Sequence, residues 1–115
     1  MKYINLILLI TVIACSQKDV KIKSAEKIDL KEVIIIDVRT ESEFNSYHIK
    51  DAIHIPYQDI SKRIESVTKD KSKRILLYCA SGGRSGMALR TLKEMGYTNA
   101  TNEGGVSDIK AKLKL

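Results

Sequence analysis

The sequence predicts an α/β domain on a mainly parallel sheet, and three observations carry that expectation. Two apolar runs, Val33-Ile34-Ile35-Ile36 and Ile75-Leu76-Leu77-Tyr78, are continuous rather than alternating, as in strands covered on both faces. Apolar residues at helical spacing lie between and after them: Ile60, Ile64 and Val67, then Ala88, Leu92 and Met95. Strand and helix signals therefore alternate, the order that a parallel sheet with crossover helices requires.

Taken in order, the first buried strand covers Val33 to Val38, interrupted by the charge of Asp37. Thr40-Glu41-Ser42-Glu43 follows and fits a capping box, so a short helix is expected to start there. Ala52 to Ile55 makes a second short strand, closed by Pro56. The helix marked by Ile60, Ile64 and Val67 leads to the buried strand Ile75–Tyr78. The helix through Ala88, Leu92 and Met95 is expected to end at Gly96. A last strand fits Thr98 to Asn102. Gly104-Gly105 is expected to turn the chain into a final helix, faced by Val106, Ile109 and Leu113.

The 115 residues leave room for one core. With 43% hydrophobic and 30% charged residues, the composition is that of a folded globular chain. The net charge of +6 comes from lysines scattered along the chain, with a small cluster at Lys110, Lys112 and Lys114. It reads either as a solvated surface or as attraction for anionic lipid or small anions. There is no dense basic stripe, and five Tyr and one Phe leave little to stack on bases, so nucleic acid is not an expected partner.

The N-terminus has an organisation of its own. Lys2 is followed by an apolar run from Tyr3 to Ala14, broken by Asn5 and Thr11. A helix of that length spans about 18 Å, short of a bilayer core of about 30 Å, so the run reads as a signal-peptide core. Val12-Ile13-Ala14-Cys15 resembles a bacterial lipobox. That resemblance implies cleavage after Ala14 and a diacylglyceryl group on Cys15. The expected organisation is a lipoprotein signal peptide over 1–14, a polar lipidated tether over 15–23 and a folded domain over 24–115. The mature protein is expected to be exported and anchored on the periplasmic or cell-surface face of a membrane. Two or three acyl chains anchor stably where one is marginal.

Of the two cysteines, lipidation of Cys15 leaves Cys79 without a partner in the chain. Cys79 falls at the carboxyl end of a buried strand, the end at which such sheets bind ligands. It opens the segment Cys79-Ala80-Ser81-Gly82-Gly83-Arg84-Ser85-Gly86. Two adjacent glycines let this loop curl with backbone angles that other residues resist. Curled in that way, its N–H groups point inward as an anion nest, and a helix starting near Ser85 adds its positive end. Both effects favour the Cys79 thiolate. Arg84 offers a planar fork that matches a sulfonate or similar oxyanion. Ser85 is expected to cap the helix, and it is also placed to hydrogen-bond the sulfur.

Cys-x-x-Gly-x-Arg opening a helix after a strand resembles the active loop of rhodaneses. The likeness extends to Ile36-Asp37-Val38-Arg39, Glu43-Phe44, His48-Ile49 and Ala52-Ile53-His54-Ile55-Pro56. It continues at Met95-Gly96-Tyr97 and Asn102-Glu103-Gly104-Gly105. It covers nearly all of 24–115 and is nearest to the small exported single-domain rhodaneses of the phage-shock type. Two positions depart from the family's usual glycines: Tyr47 before His48, and Asp51 before Ala52. Asp tolerates a left-handed backbone better than most residues, so the second turn is expected to survive.

The resemblance implies a rhodanese-like fold, a central mainly parallel sheet of about five strands flanked by helices. It implies a sulfurtransferase in which the Cys79 thiolate takes the outer sulfur of thiosulfate or a similar small anionic donor. Cyanide or a thiol then removes that sulfur from the resulting persulfide. Ala80, Ser81, Gly82, Gly83, Arg84 and Ser85 would bind the donor, and Asp37 and Arg39 would brace the site through ion pairs. His48 and His54 read as structural. They lack metal-ligand spacing with a second cysteine, so neither metal nor cofactor is expected, and a monomer is expected.

Three other readings carry different chemistry. Cysteine phosphatases place five residues between Cys and Arg, and here there are four. A non-enzymatic rhodanese-like module would have no need of Cys79, the glycines and Arg84 together. A persulfide carrier or redox relay for a protein partner would use the same loop.

Overall fold

A computed structural model of the chain describes residues 28–115. The expected signal segment, Cys15, the tether and the first four residues of the expected domain lie outside the described residues.

Strand β1 (Val33–Asp37) is followed by helix α1 (Glu41–Ser46), strand β2 (Ile53–His54), a 3-10 turn at Tyr57–Asp59 and helix α2 (Ile60–Val67). Strand β3 (Arg74–Cys79), helix α3 (Gly83–Glu94), strand β4 (Ala100–Gly105) and helix α4 (Val106–Leu113) complete the chain. The sheet order is β2-β1-β3-β4 and every pairing is parallel. The described residues thus form four strands, one fewer than the five or so expected.

Alternation along the central strands divides the core between the two faces of the sheet. Ile36, Ile75, Leu77 and Cys79 pack with Ile60 and Ile64 of α2 and with Ala88 and Leu92 of α3. Ile35, Leu76 and Tyr78 pack on the other face with Ile49 and with Ile109 of α4. Burying each such Ile or Leu is worth roughly 1.5–3 kcal/mol, so both central strands are held from above and below. Cys79 is the last residue of the first set, a core member that also ends its strand.

The capping box forms as the sequence predicts. Thr40 Oγ1 accepts from Glu43 N at 3.2 Å, and Glu43 Oε1 accepts from Thr40 N at 3.2 Å. Asp51 takes the left-handed conformation at φ 66°, so the turn expected to survive at this position is present. Tyr47 is extended at φ −167°, a backbone that any residue adopts.

The end of the sheet differs from expectation. Gly104-Gly105 makes no separate turn: β4 continues through Gly105 and passes directly into α4. Leu77 pairs with Asn102 and Cys79 with Gly105, so two residue steps on β3 face three on β4. The surplus residue is absorbed as a bulge at Gly104, whose φ of 84° suits glycine. Gly105 meets the active loop closely, because a Cβ there would overlap the carbonyl oxygen of Ala80.

Candidate active site

The carboxyl ends of β1 and β3 are neighbours, with Asp37 paired to Tyr78 in register. Each strand releases a loop at this edge, the β1 loop into α1 and the β3 loop into α3. The chemistry-bearing residues of the sequence meet here.

Cys79 is 1% exposed. Its sulfur accepts a hydrogen bond from Gly82 N at 2.9 Å and lies 3.3 Å from Ser85 Oγ. Burial pushes the Cys79 thiol up, but the Ser85 hydroxyl and the N–H groups of Ser85, Ser81 and Gly82 outweigh it. The net effect holds the thiol below its ordinary value and favours the thiolate.

The curl of the loop comes from one glycine rather than two. Gly82 has φ 97° and is the N-cap of the helix, whereas Gly83 is the first residue of α3 and has no positive φ. An added Cβ at Gly83 would meet nothing within 4 Å. Gly82 also holds the loop shut through its carbonyl, which accepts from Gly86 N at 3.0 Å and from Asn102 Nδ2 at 2.9 Å.

Ser85 does not cap α3, which begins two residues before it at Gly83. A residue in the first turn cannot be the cap, and its fully buried hydroxyl is turned toward the sulfur. Ser85 Oγ donates to Asn102 Oδ1 at 2.6 Å, with the Gly82 carbonyl at 3.2 Å as a poorer acceptor.

Arg84 is turned toward α1. Its Nη1 and Nη2 reach the carboxylate of Glu43 at 2.6 and 3.0 Å. The Arg84 guanidinium, with help from Thr40, holds the Glu43 carboxyl at about 2. Beside this pair lies a cleft of about 390 Å³, walled by Arg84, Thr40 and Tyr57 among others.

Asp37 and Arg39 form a buried pair behind the site. Arg39 Nε lies 3.0 Å and Nη2 2.7 Å from Asp37, and Nη2 also donates to the Tyr47 carbonyl at 2.5 Å. His54 Nε2 lies 2.8 Å from the Arg39 carbonyl, and His48 Nδ1 lies 2.8 Å from that of Phe44. Both imidazoles stack on Phe44, at 3.7 Å for His48 and 4.8 Å for His54. Among the described residues, no group of three or more His, Cys, Asp or Glu side chains is placed to hold a metal ion.

The structure thus brings Cys79, Ser81, Gly82 and Ser85 together around one sulfur. It places Gly83 and Arg84 on the outer side of the loop, and Ala80 against β4. Two site residues have no counterpart in the sequence reading. Glu43 is legible only as a helix cap and as part of the Glu43-Phe44 motif, and Asn102 only as part of the motif Asn102-Glu103-Gly104-Gly105.

A family model for the rhodanese-like domain matches residues 22–112. The thiosulfate sulfurtransferase PspE of Escherichia coli is 40% identical over 74 residues, covering 64% of this chain and 71% of that protein. The thiosulfate:glutathione sulfurtransferase of Saccharomyces cerevisiae is 32% identical over 80 residues, covering 60% of this chain and 58% of that protein, less than two thirds of its length. A solved rhodanese with anions from E. coli superposes with a TM-score of 0.63 at 39% identity, covering 65% of this chain and 88% of that one. With Cys79 seated at the strand end and the family model matching most of its length, the chain belongs to the rhodanese-like domain family.

Proposed function

We propose that this chain, a sulfurtransferase of the rhodanese type, moves a sulfane sulfur from thiosulfate to a thiol or cyanide through a persulfide on Cys79. The observation that carries the proposal is the sulfur itself, held by the Gly82 N–H and beside Ser85 Oγ at the end of β3.

The Cys79 thiolate attacks the outer sulfur of thiosulfate, the S–S bond of the donor breaks, and sulfite leaves with the electron pair. The negative charge now rests on the outer sulfur of the persulfide, where loop N–H groups stabilise it. Cyanide or a thiolate attacks that sulfur, takes it as thiocyanate or a new persulfide, and returns the Cys79 thiolate. The cycle is ping-pong. It needs no general base, because the thiolate is already favoured. Arg84 recognises the oxyanion end of the donor.

Thiosulfate treatment is expected to add the mass of one sulfur atom to the Cys79 peptide and to leave Cys79→Ser unmodified. Turnover of an aryl phosphate without sulfur transfer would overturn the reading in favour of a phosphatase. Screening protein thiols alongside small ones separates a free-standing enzyme from a carrier.

The second part of the proposal concerns location. Val12-Ile13-Ala14-Cys15 behind a short apolar run supports a lipid on Cys15 that anchors the domain outside a membrane. The persulfide then has no resolving cysteine in the chain and is discharged by another molecule. Labelling with a fatty-acid analogue tests the anchor: Cys15→Ser is expected to abolish it, and unchanged labelling would remove Cys15 as the site.

A further inference from the structure

Both terminal nitrogens of Arg84 end on one carboxylate, that of Glu43, forty-one residues earlier in the chain. This is the geometry in which a guanidinium binds an oxyanion. A donor arriving at the loop therefore finds the fork already engaged. The pair is not sealed, because the Arg84 and Glu43 side chains are 29% and 33% exposed. Ion pairs open to water are worth little and exchange readily. The cleft of about 390 Å³ beside Arg84 gives an incoming anion room to approach the guanidinium. Glu43 keeps other partners when Arg84 leaves, since its Oε1 also accepts from Thr40 N at 3.2 Å and Thr40 Oγ1 at 3.0 Å.

We infer that Glu43 occupies Arg84 in place of the donor's oxyanion, and so sets how strongly the enzyme prefers oxyanion-bearing sulfur donors over donors without one. The inference rests on the assignment of Cys79 as sulfur acceptor. Donor binding becomes an exchange in which Arg84 passes from one anion to another with no covalent change. A donor without an oxyanion gains nothing from the exchange and leaves the pair intact. Glu43 is a positioning residue in this scheme, acting through Arg84.

The test compares two donors on the full chain, wild type and Glu43→Gln. One is thiosulfate. The other is the persulfide of an aminothiol, which delivers an outer sulfur to Cys79 but carries no oxyanion. Gln at this helix position still serves the capping box. The ratio of kcat/KM for thiosulfate over the aminothiol persulfide is expected to rise about three- to tenfold in Glu43→Gln, mostly through the thiosulfate KM. In Glu43→Gln/Arg84→Gln that gain is expected to vanish. An unchanged ratio, or a thiosulfate KM that rises, would overturn the inference and make Glu43 a brace for Arg84. If Glu43→Gln does not fold, Glu43→Asp keeps a charge at shorter reach and is expected to move the ratio the same way by a smaller factor; no movement there overturns it equally. Wild-type protein that takes sulfur from neither donor would instead refute the sulfurtransferase assignment.

Discussion

Ser85 and Asn102 are locked together: Ser85 Oγ lies 2.6 Å from Asn102 Oδ1, nearer than any other acceptor it has. The orientation of the amide is determined. Its oxygen also accepts from Gly104 N at 2.9 Å, and its nitrogen donates to the Gly82 carbonyl at 2.9 Å. A hydroxyl has one proton. While that proton points at Asn102, Ser85 presents a lone pair to Cys79 and suits the thiol. Ionisation of Cys79 is expected to draw the same proton toward the sulfur, 3.3 Å from the hydroxyl oxygen.

It follows that Asn102 competes with the thiolate for the Ser85 proton. Asn102→Ala is expected to lower the apparent pKa of Cys79 further, and Ser85→Ala to raise it. In Ser85→Ala the effect of Asn102→Ala is expected to disappear. Alkylation of the Cys79 peptide as a function of pH measures all three. The acid limb of the wild-type activity profile is expected below the ordinary thiol range, because the folded thiol is held down. Asn102→Ala that raises the pKa would mean that the amide acts only by shaping the loop.

The two glycines of the loop are expected to respond differently. Gly82→Ala forces a side chain into φ 97° and brings its Cβ to 3.4 Å from Gly104 Cα. A loss of about 1–2 kcal/mol in stability and a larger loss of sulfur transfer are expected. Gly83→Ala meets open space at an ordinary φ. It is expected to hold or gain stability by about 0.4–1 kcal/mol, measured by urea unfolding.

The buried pair behind the site makes a test of stability. Asp37 is 0% exposed, so Asp37→Ala strands the Arg39 guanidinium away from water. A loss of about 3–5 kcal/mol is expected. In a domain of this size that lowers Tm by well over about 10 °C. Asp37→Ala/Arg39→Leu is expected to recover part of it, since no buried charge is then left unpaired.

Acid should weaken the link between α1 and the loop. The folded state holds Glu43 at about 2, below its ordinary value of 4.5. A depressed carboxyl contributes stability that is present above the unfolded value and lost as pH falls through the folded one. Thermal melts of wild type and Glu43→Gln are therefore expected to differ above pH 4.5 and to converge as pH falls toward 2. A difference that persists unchanged at the acid end would assign the contribution to packing.

What the sequence makes legible here is local. The capping box at Thr40 and Glu43 needs only four residues, and it appears with the expected contacts. The continuous run Val33 to Ile36 announces a strand covered on both faces, because every position is apolar. Cys79 is marked by the strand before it and the glycines after it. What stays hidden depends on the crossovers of a parallel sheet. Glu43 meets Arg84 across β2, α2 and β3, and Asn102 meets Ser85 across α3, and no local pattern encodes either distance. The bulge at Gly104 hides for a related reason, since two glycines read equally as a turn between elements or as slack within one. Ser85 misleads because a serine at a helix start is usually a cap, and here its hydroxyl lies between Asn102 and the sulfur instead.

The covering of Cys79 has a consequence for chemical selectivity. Cys79 is 1% exposed as a residue and its sulfur lies under the Gly82 N–H, so a reagent must be slender or the loop must yield. Thiosulfate leads with a single terminal sulfur, and cyanide is a two-atom rod. Bulky disulfides and aromatic thiol reagents have no such leading end. On the proposed function, the domain is therefore expected to react faster with narrow nucleophiles and electrophiles than with wide ones, which alkylation of Cys79 by reagents of increasing girth would measure.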